Sequence, residues 1–279
     1  YRDEQSGELS GLSRVISITQ DDAHVFCREN QIEEEALKIW DIIETFYKTF
    51  GFDLKVRFST HDSTQMEKYL GSAETWEKAE KALENLMIKK NIKWIDGMGE
   101  AAFYGPKIDF IAHDSIGRVL QVATIQLDFN QPKNFGLVCT NEKGEREAVV
   151  MIHCAIMGSI ERFMSTLIEH LAGVFPVWLA PTQVSIVPVR EEHTNYAYEI
   201  KQKLMDNGIR VEVIDNNNSL GKRINHAKSQ KVPYVIVVGD KEVQSQSLTI
   251  ETRGDKLENI TLPDFLEKLE DEIKDRVLN

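Results

Sequence analysis

KIDFIAHDSIGRVLQVATIQLDF, residues 107–129, is the stretch whose reading decides the fold. Two apolar-rich runs, 107–112 and 118–129, flank a short polar turn, and a third, AVVMIH at 148–153, follows soon after. Parallel neighbours need a crossover of about a dozen residues or more, usually a helix, and no helical pattern lies between these runs. They are therefore expected to pair as an antiparallel sheet. Tyr104, Lys107, Gln121, Thr124, Gln126 and Asp128 place polar groups in sequence otherwise built for burial. Such groups cost free energy unless hydrogen-bonded, so several in adjacent strands point to a lined polar pocket.

Working outward, residues 30–50 form an amphipathic pattern in which Ile32, Leu37, Trp40, Ile43, Tyr47 and Phe50 recur at helical spacing. Glu33, Glu34 and Glu35 suit the positive N-terminal end of that helix, and Gly51 stops it. Leu54, Val56 and Phe58 alternate with Lys55 and Arg57 as in a half-buried strand. A second helix is expected over 73–90, with Trp76, Ala79, Leu83, Leu86 and Met87 inward. A third is expected over 159–171, with Ile160, Met164, Leu167, Ile168 and Leu171 in the core. Pro176 and Pro181 bracket VFPVWLAP, a domain junction. Beyond it the rhythm becomes strand (184–189), helix (195–207), strand (210–214), helix (220–230), strands (234–238 and 248–252) and a last helix (262–278) with Pro263 in its first turn. The expected class is α+β: an antiparallel-sheet domain over residues 1–178, then a mixed-sheet α/β domain over 182–279.

The 279 residues suit two domains of ordinary size, and 42% hydrophobic with 28% charged content is that of a soluble globular protein. No apolar run reaches the roughly 18 residues that a membrane span needs. Cys27, Cys139 and Cys154 are widely spaced, which favours a reducing, cytoplasmic compartment over a disulfide framework. A formal charge of −12 argues against unspecific nucleic-acid coating but leaves room for a local basic patch. The start at Tyr1 lacks an initiator Met and resembles no targeting segment, so it reads as a cut inside a longer protein.

Three further constellations carry chemistry. Arg2, Glu4, Arg14, Gln20, Asp21, Asp22 and His24 crowd the N-terminal stretch, with Gly7 and Gly11 in a polar connection between segments able to pair as strands. Arginines flanking such a loop suit a triphosphate clamp, because guanidinium forks match phosphate oxygens; the alternative is a solvated surface hairpin. His24 and His153 are candidates to share one metal, although each alone is more often a satisfied core histidine than a ligand. Gly158, Ser159, Glu161 and Arg162 open the 159–171 helix, where a helix N-terminus favours anions; the alternative is an ordinary solvated Glu–Arg turn.

Read in order, RxE, SGxLSGLxRV, TQDDAHxFC, AAFYGPKIDF, ATIQLDF, VMIH, GSIERF, FPVWLAPTQV and VPYVIVVGDKEV resemble the class II aminoacyl-tRNA synthetases, and the threonyl-tRNA synthetases in particular. The resemblance covers nearly the whole chain and begins within the family's motif 2. It implies a class II catalytic domain, here partial, followed by an anticodon-binding domain, acting in ATP-dependent threonine activation and transfer to tRNA(Thr). It also implies a homodimer in the intact protein. Arg2 would hold the α-phosphate of ATP, Glu4 would read the adenine amino group, and Arg14 and Arg162 would grip the outer phosphates with Mg²⁺. Gln121 would lie near ATP, while Gln20, Asp22, Tyr104 and Gln126 would line the threonine pocket. His24 and His153 match two of three zinc ligands, the third being a cysteine upstream of motif 2. Asn217 and Glu242 match anticodon contacts.

The chain departs from the family pattern at Ile16, Cys154, Asn225 and Glu251, each where an arginine is usual. These changes support an alternative of another class, a catalytically weakened synthetase-like protein that only binds tRNA or a regulatory partner. The resemblance further implies that this stretch alone, without the ligand cysteine, is inactive. A metal-dependent hydrolase using His24, Asp22 and His153 is a third reading, and it leaves the last domain unexplained.

Overall fold

The computed structural model describes residues 1–5, 7–113, 117–215, 217–254 and 257–278. They divide into two compact units, Tyr1–His170 and Leu171–Asn279. The elements of the first are β1 (Ala23–Cys27), α1 (Ile32–Thr49), β2 (Lys55–Thr60), α2 (Ala73–Lys89), β3 (Trp94–Met98), β4 (Lys107–His113), β5 (Val119–Asp128), α3 (Asn130–Asn134), β6 (Val138–Thr140), β7 (Arg146–Ala148), β8 (Val150–Ala155) and α4 (Ile160–His170).

A six-stranded sheet runs in the order β1-β8-β5-β4-β2-β3. Every neighbouring pair is antiparallel except β2 and β3, which α2 connects as a parallel crossover. One face is apolar because Ile108 and Phe110 of β4, Ile125 and Leu127 of β5, and Ile152 of β8 alternate with polar neighbours. That face is covered by α1, whose Ile39, Trp40, Ile43 and Tyr47 are buried, and by α2. Trp40 meets Phe110 edge-on, with ring centroids 4.9 Å apart. The Ser72 hydroxyl caps α2 by accepting from the Thr75 N–H at 3.3 Å.

The other face is polar, and its phase is reset by a β-bulge. Phe110 pairs with Ala123, but Ile111 pairs with Gln121, so Val122 is a surplus residue. Counting by twos from Thr124 would put Val122 on the polar face and turn Gln121 toward the helices. The surplus residue reverses this and brings Gln121 into line with Thr124. Tyr47, buried in α1, donates its hydroxyl to the Val122 carbonyl at 3.0 Å and the Ile156 carbonyl at 2.9 Å.

Several expectations are corrected. Met164 and Ile168 of α4 are 48% and 40% exposed rather than core, whereas Phe163, Thr166 and Leu167 are buried. This helix is apolar on two adjacent flanks, and the aromatic cluster of Phe46, Phe50 and Phe163 selects the flank that turns inward. In residues 1–18 the chain makes a Ser10–Arg14 bridge and an Arg2 N–H to Ile16 carbonyl bond of 2.8 Å, not a pair of regular strands among the described residues. The sequence reading missed β3, because a Gly interrupts WIDGM and little of it alternates.

The second unit comprises β9 (Val184–Pro188), α5 (Thr194–Asp206), β10 (Val211–Val213), α6 (Leu220–Ser229), β11 (Tyr234–Val238), α7 (Asp240–Ser245), β12 (Ser247–Thr252), β13 (Leu257–Thr261) and α8 (Leu262–Lys274). Its five strands lie in the order β10-β9-β11-β12-β13, the first three parallel and the last two antiparallel additions, so the sheet is mixed. Val177, from the proline-bracketed segment, packs in this unit's core with Ile186, Ile236, Leu248, Phe265 and Leu269. Strand β13 and helix α7 were not read from the sequence; both are short and carry few apolar residues.

Tyr47→Phe removes a donor shared by the Val122 and Ile156 backbone carbonyls. It should cost about 1–3 kcal/mol, seen as a lower urea midpoint with an unchanged slope.

Candidate active site

Two segments about 140 residues apart in sequence are stitched together at the edge of the first unit's sheet. Gln20 bridges Ser159, the Asp21 N–H donates to the Gly158 carbonyl at 3.1 Å, and the Ile160 N–H donates to the Thr19 carbonyl at 2.9 Å. The Asp21 carboxylate accepts from the N–H groups of Ile156 (2.8 Å), Met157 (2.9 Å) and Gly158 (2.6 Å). Gly158 has φ +70°, a conformation that costs glycine little. Glu161 completes the stitch, accepting from the Thr19 N–H at 3.1 Å and the Ser159 hydroxyl at 2.8 Å. Its carboxyl is held below the ordinary range by its own backbone N–H, then by the Ser159 hydroxyl and the Thr19 N–H.

The stitch closes a cavity of about 350 Å³ whose walls include Arg2, Glu4, Arg14, Gln20, Gln121 and Arg162. Arg162 projects from the first turn of α4, so a side-chain cation and a helix N-terminus meet there. Arg14 donates to one Glu4 oxygen through Nε (3.0 Å) and Nη2 (2.8 Å), and this bond holds the Glu4 carboxyl below its ordinary range. Three guanidinium groups and one carboxylate leave the cavity cationic, which suits a polyphosphate.

Beside it runs a row of facing residues across four strands: His24 pairs with His153, His153 with Gln126, and Gln126 with Lys107. The rings of His24 and His153 lie edge to face with centroids 4.7 Å apart. Tyr104 donates its hydroxyl to the Gln126 carbonyl oxygen at 2.9 Å and lies 4.9 Å from the His153 ring. Burial first, then the charges of Asp128 and Asp22, raise the Tyr104 pKa, so its phenol stays protonated as a donor. Gly105 lets this loop approach β5, since a Cβ there would sit 1.9 Å from the Leu127 carbonyl oxygen. Asp128 is fully buried; it accepts from the Asn130 and Gln131 N–H groups at the start of α3 (2.8 and 2.9 Å) and meets His153 Nε2 at 3.0 Å. A carboxylate only accepts, so Nε2 donates this bond, and the neutral imidazole then has its lone pair at Nδ1. Two adjacent imidazoles, one oriented by a carboxylate, fit two positions of a zinc site.

The fold therefore brings Arg2, Glu4, Arg14, Gln20, Gln121 and Arg162 to one cavity and His24, Tyr104, Gln126 and His153 to the row beside it, with the Asp22 charge acting on Tyr104. Asn217 and Glu242 belong to the second unit. Asn217 is exposed in the turn before α6. Glu242 is buried, accepting from the Gly239 N–H at 2.9 Å and the Thr249 hydroxyl at 2.7 Å. Burial pushes its pKa up, but the Thr249 and Gly239 bonds outweigh that and leave it lowered. Cys154 is buried, and Glu251 pairs with Lys228 at 2.6 Å. The sequence reading gave no role to Asp21 or Asp109; Lys107 and Asp109 alternate with Ile108 and Phe110, the one signal that marked Asp109 as facing the polar side. Elsewhere, Glu192, His193 and Asp240 come together, but His193 Nδ1 accepts from the Arg190 N–H at 3.1 Å and Nε2 meets Asp240 at 3.0 Å, so both nitrogens serve the turn into α5.

Residues 1–171 match the tRNA synthetase class II core domain (G, H, P, S and T), and residues 183–275 match an anticodon binding domain. The chain belongs to the class II aminoacyl-tRNA synthetase family. Within that class its similarity is to threonyl-tRNA synthetases. It is 46% identical over 279 residues to the threonine–tRNA ligase of Thermotoga sp. (strain RQ2), covering 100% of this chain and 43% of that protein. It is equally 46% identical over 277 residues to the threonine–tRNA ligase of Acetivibrio thermocellus, covering 99% and 43%. Among solved structures, the RNA binding domain of threonyl-tRNA synthetase from Cryptosporidium parvum Iowa II superposes with a TM-score of 0.90 at 34% identity, covering 97% of this chain and 68% of that one. The chain thus spans under half the length of the curated relatives it matches.

Asp21→Asn leaves one acceptor oxygen for three N–H groups and should destabilise the first unit by about 1–3 kcal/mol, measured by chemical denaturation. Because the Glu242 carboxyl is lowered in the folded state, its contribution is full above the ordinary carboxylate range and is lost as pH falls through the folded value. The stability gap between wild type and Glu242→Gln should therefore be widest near neutrality and close in acid, as followed by thermal melts across pH.

Proposed function

We propose that the chain carries the adenylation site and the anticodon-binding module of a threonine–tRNA ligase. The observation that carries the reading is the cationic cavity, closed by the Asp21 stitch, lying next to the His24–His153 row. In this reading a threonine carboxylate oxygen attacks the α-phosphorus of ATP, and pyrophosphate leaves. A terminal ribose hydroxyl of tRNA(Thr) then attacks the adenylate carbonyl, forming the ester and releasing AMP. The carboxylate is already a nucleophile, so the first step needs no general base. Arg2 stabilises charge developing at the α-phosphate, while Arg14 and Arg162 hold the outer phosphates of ATP–Mg²⁺. Glu4 addresses the adenine amino group and Gln121 the nucleotide side of the cavity.

Gln20, Asp22, Tyr104 and Gln126 form the threonine end, with His24 and His153 as zinc ligands and a third protein donor from outside this chain. Zinc, when bound, supplies a Lewis-acidic contact for the substrate amine and hydroxyl. Valine has nearly the shape of threonine without the hydroxyl, and apolar packing alone separates such pairs only about 100-fold. The second unit supplies the tRNA anticodon contacts, with Asn217 and Glu242 assigned by family resemblance. The same resemblance carries a homodimer. Three free cysteines agree with a cytoplasmic compartment, and no helix among the described residues is long and apolar enough to cross a membrane.

A second reading, a tRNA-binding protein with weakened catalysis, draws on Glu251, already paired with Lys228 where the family has an arginine. ATP–pyrophosphate exchange by the full-length protein separates the two. Exchange should require threonine and be at least 100-fold weaker with valine. Arg162→Ala should lower it by two orders of magnitude, the worth of a transition-state contact of about 3 kcal/mol. Absence of threonine-dependent exchange in the zinc-replete full-length protein would favour the second reading.

A further inference from the structure

Beneath the nucleotide cavity lies Asp109, a fully buried carboxylate whose two oxygens face two different groups of donors. Oδ2 accepts from the Ser59 hydroxyl (2.7 Å), Arg57 Nη2 (2.9 Å) and Lys107 Nζ (3.0 Å). Oδ1 accepts from Gln121 Nε2 (2.7 Å) and the Thr124 hydroxyl (3.2 Å). The Gln121 amide is held on every side, since Nε2 also donates to Thr124 Oγ1 at 2.9 Å and Oε1 accepts from Arg57 Nη2 at 3.2 Å. Gln121 itself is an exposed residue in the cavity wall.

We propose that Asp109 is a positioning residue that fixes the Gln121 amide in the nucleotide cavity, with both amide protons turned inward and the oxygen left as the acceptor toward the ligand. The inference rests on the adenylation reading. Its logic is the inventory of donors. A carboxylate accepts and never donates, so the amide next to it must present its NH₂ and cannot flip. Both protons are then used, one on Asp109 and one on Thr124, while Oε1 keeps a lone pair beyond the one given to Arg57. The Val122 bulge is what allows this, because it places Gln121 and Thr124 on the same face of β5 opposite Asp109. A buried charge serving only the fold would need Arg57, Lys107 and Ser59, but it would have no use for a half-solvated glutamine on its other oxygen.

The test is a double-mutant cycle on the full-length protein, with ATP affinity measured by calorimetry, KM for ATP and threonine from pyrophosphate exchange, and folding followed by thermal melts. Asp109→Asn gives the amide freedom to turn and should weaken ATP binding about tenfold, as loss of a charge-assisted hydrogen bond does, while KM for threonine stays within about twofold. In a Gln121→Ala background the same substitution should add nothing. Should Asp109→Asn fold poorly, Thr124→Val and Ser59→Ala replace it. Each removes one donor to Asp109, from opposite oxygens, and only Thr124→Val should weaken ATP binding. Equal loss of ATP affinity with and without Gln121, equal effects of Thr124→Val and Ser59→Ala, or a matching rise in threonine KM would overturn the proposal. A wild-type protein that binds ATP but shows no threonine-dependent exchange would remove the ligase reading alone, and the cycle on ATP affinity would still decide the role of Asp109.

Discussion

Three N–H groups in a row, from Ile156 to Gly158, converge on the Asp21 carboxylate, and the candidate site exists because of that convergence. The arginines of the N-terminal segment and the arginine of α4 belong to parts of the chain with no local reason to meet. Backbone groups leaving the end of β8 need partners, since each unpaired one costs free energy when buried. Asp21 satisfies them while the backbone of residues 19–21 takes up the turn into α4. Closing so long a loop is entropically costly, and the dense set of short bonds at one joint offsets that cost locally. The gathering of Arg2, Arg14 and Arg162 around one cavity then follows from geometry already set by hydrogen bonding.

The sheet divides the work between its faces. Helices α1 and α2 bury one face and supply the hydrophobic stabilisation, which leaves the opposite face free to carry groups that would be intolerable in a core. On that face several polar side chains are tied to one another: Tyr104 to Gln126, His153 to Asp128, and Gln121 to Asp109. Side chains held by packed neighbours lose little freedom on meeting a ligand, which is the physical content of preorganisation.

Much of this was legible in the residues. Apolar periodicity located α1 and α2, the close spacing of 107–112, 118–129 and 148–153 implied antiparallel pairing, and the motif segments grouped Arg2, Glu4, Arg14 and Arg162, which line one cavity. Three things were not legible, each for a definite reason. The inward flank of α4 depends on Phe46 and Phe50 across the core, which no local pattern reveals. Strict alternation assigns Gln121 to the wrong face, because a bulge is a property of two strands and not of one. Asp21 looks like any surface aspartate until the N–H groups that it serves, some 135 residues later, are in place.

The surplus residue at Val122 also shapes which mutations this strand can absorb. Substitutions in β5 alter one side chain at a time, and most leave the alternation of its neighbours intact. Deletion of Val122 would leave Ala123 opposite Phe110 and Gln121 opposite Ile111 in an unbroken ladder, so the strand could lose that residue and still keep Gln121, Thr124, Gln126 and Asp128 on one face. The surplus position is thus a spare in the count: β5 tolerates the loss of a residue there, whereas a residue inserted in the regular stretch from Ala123 to Asp128 would set the polar side chains on its two sides on opposite faces.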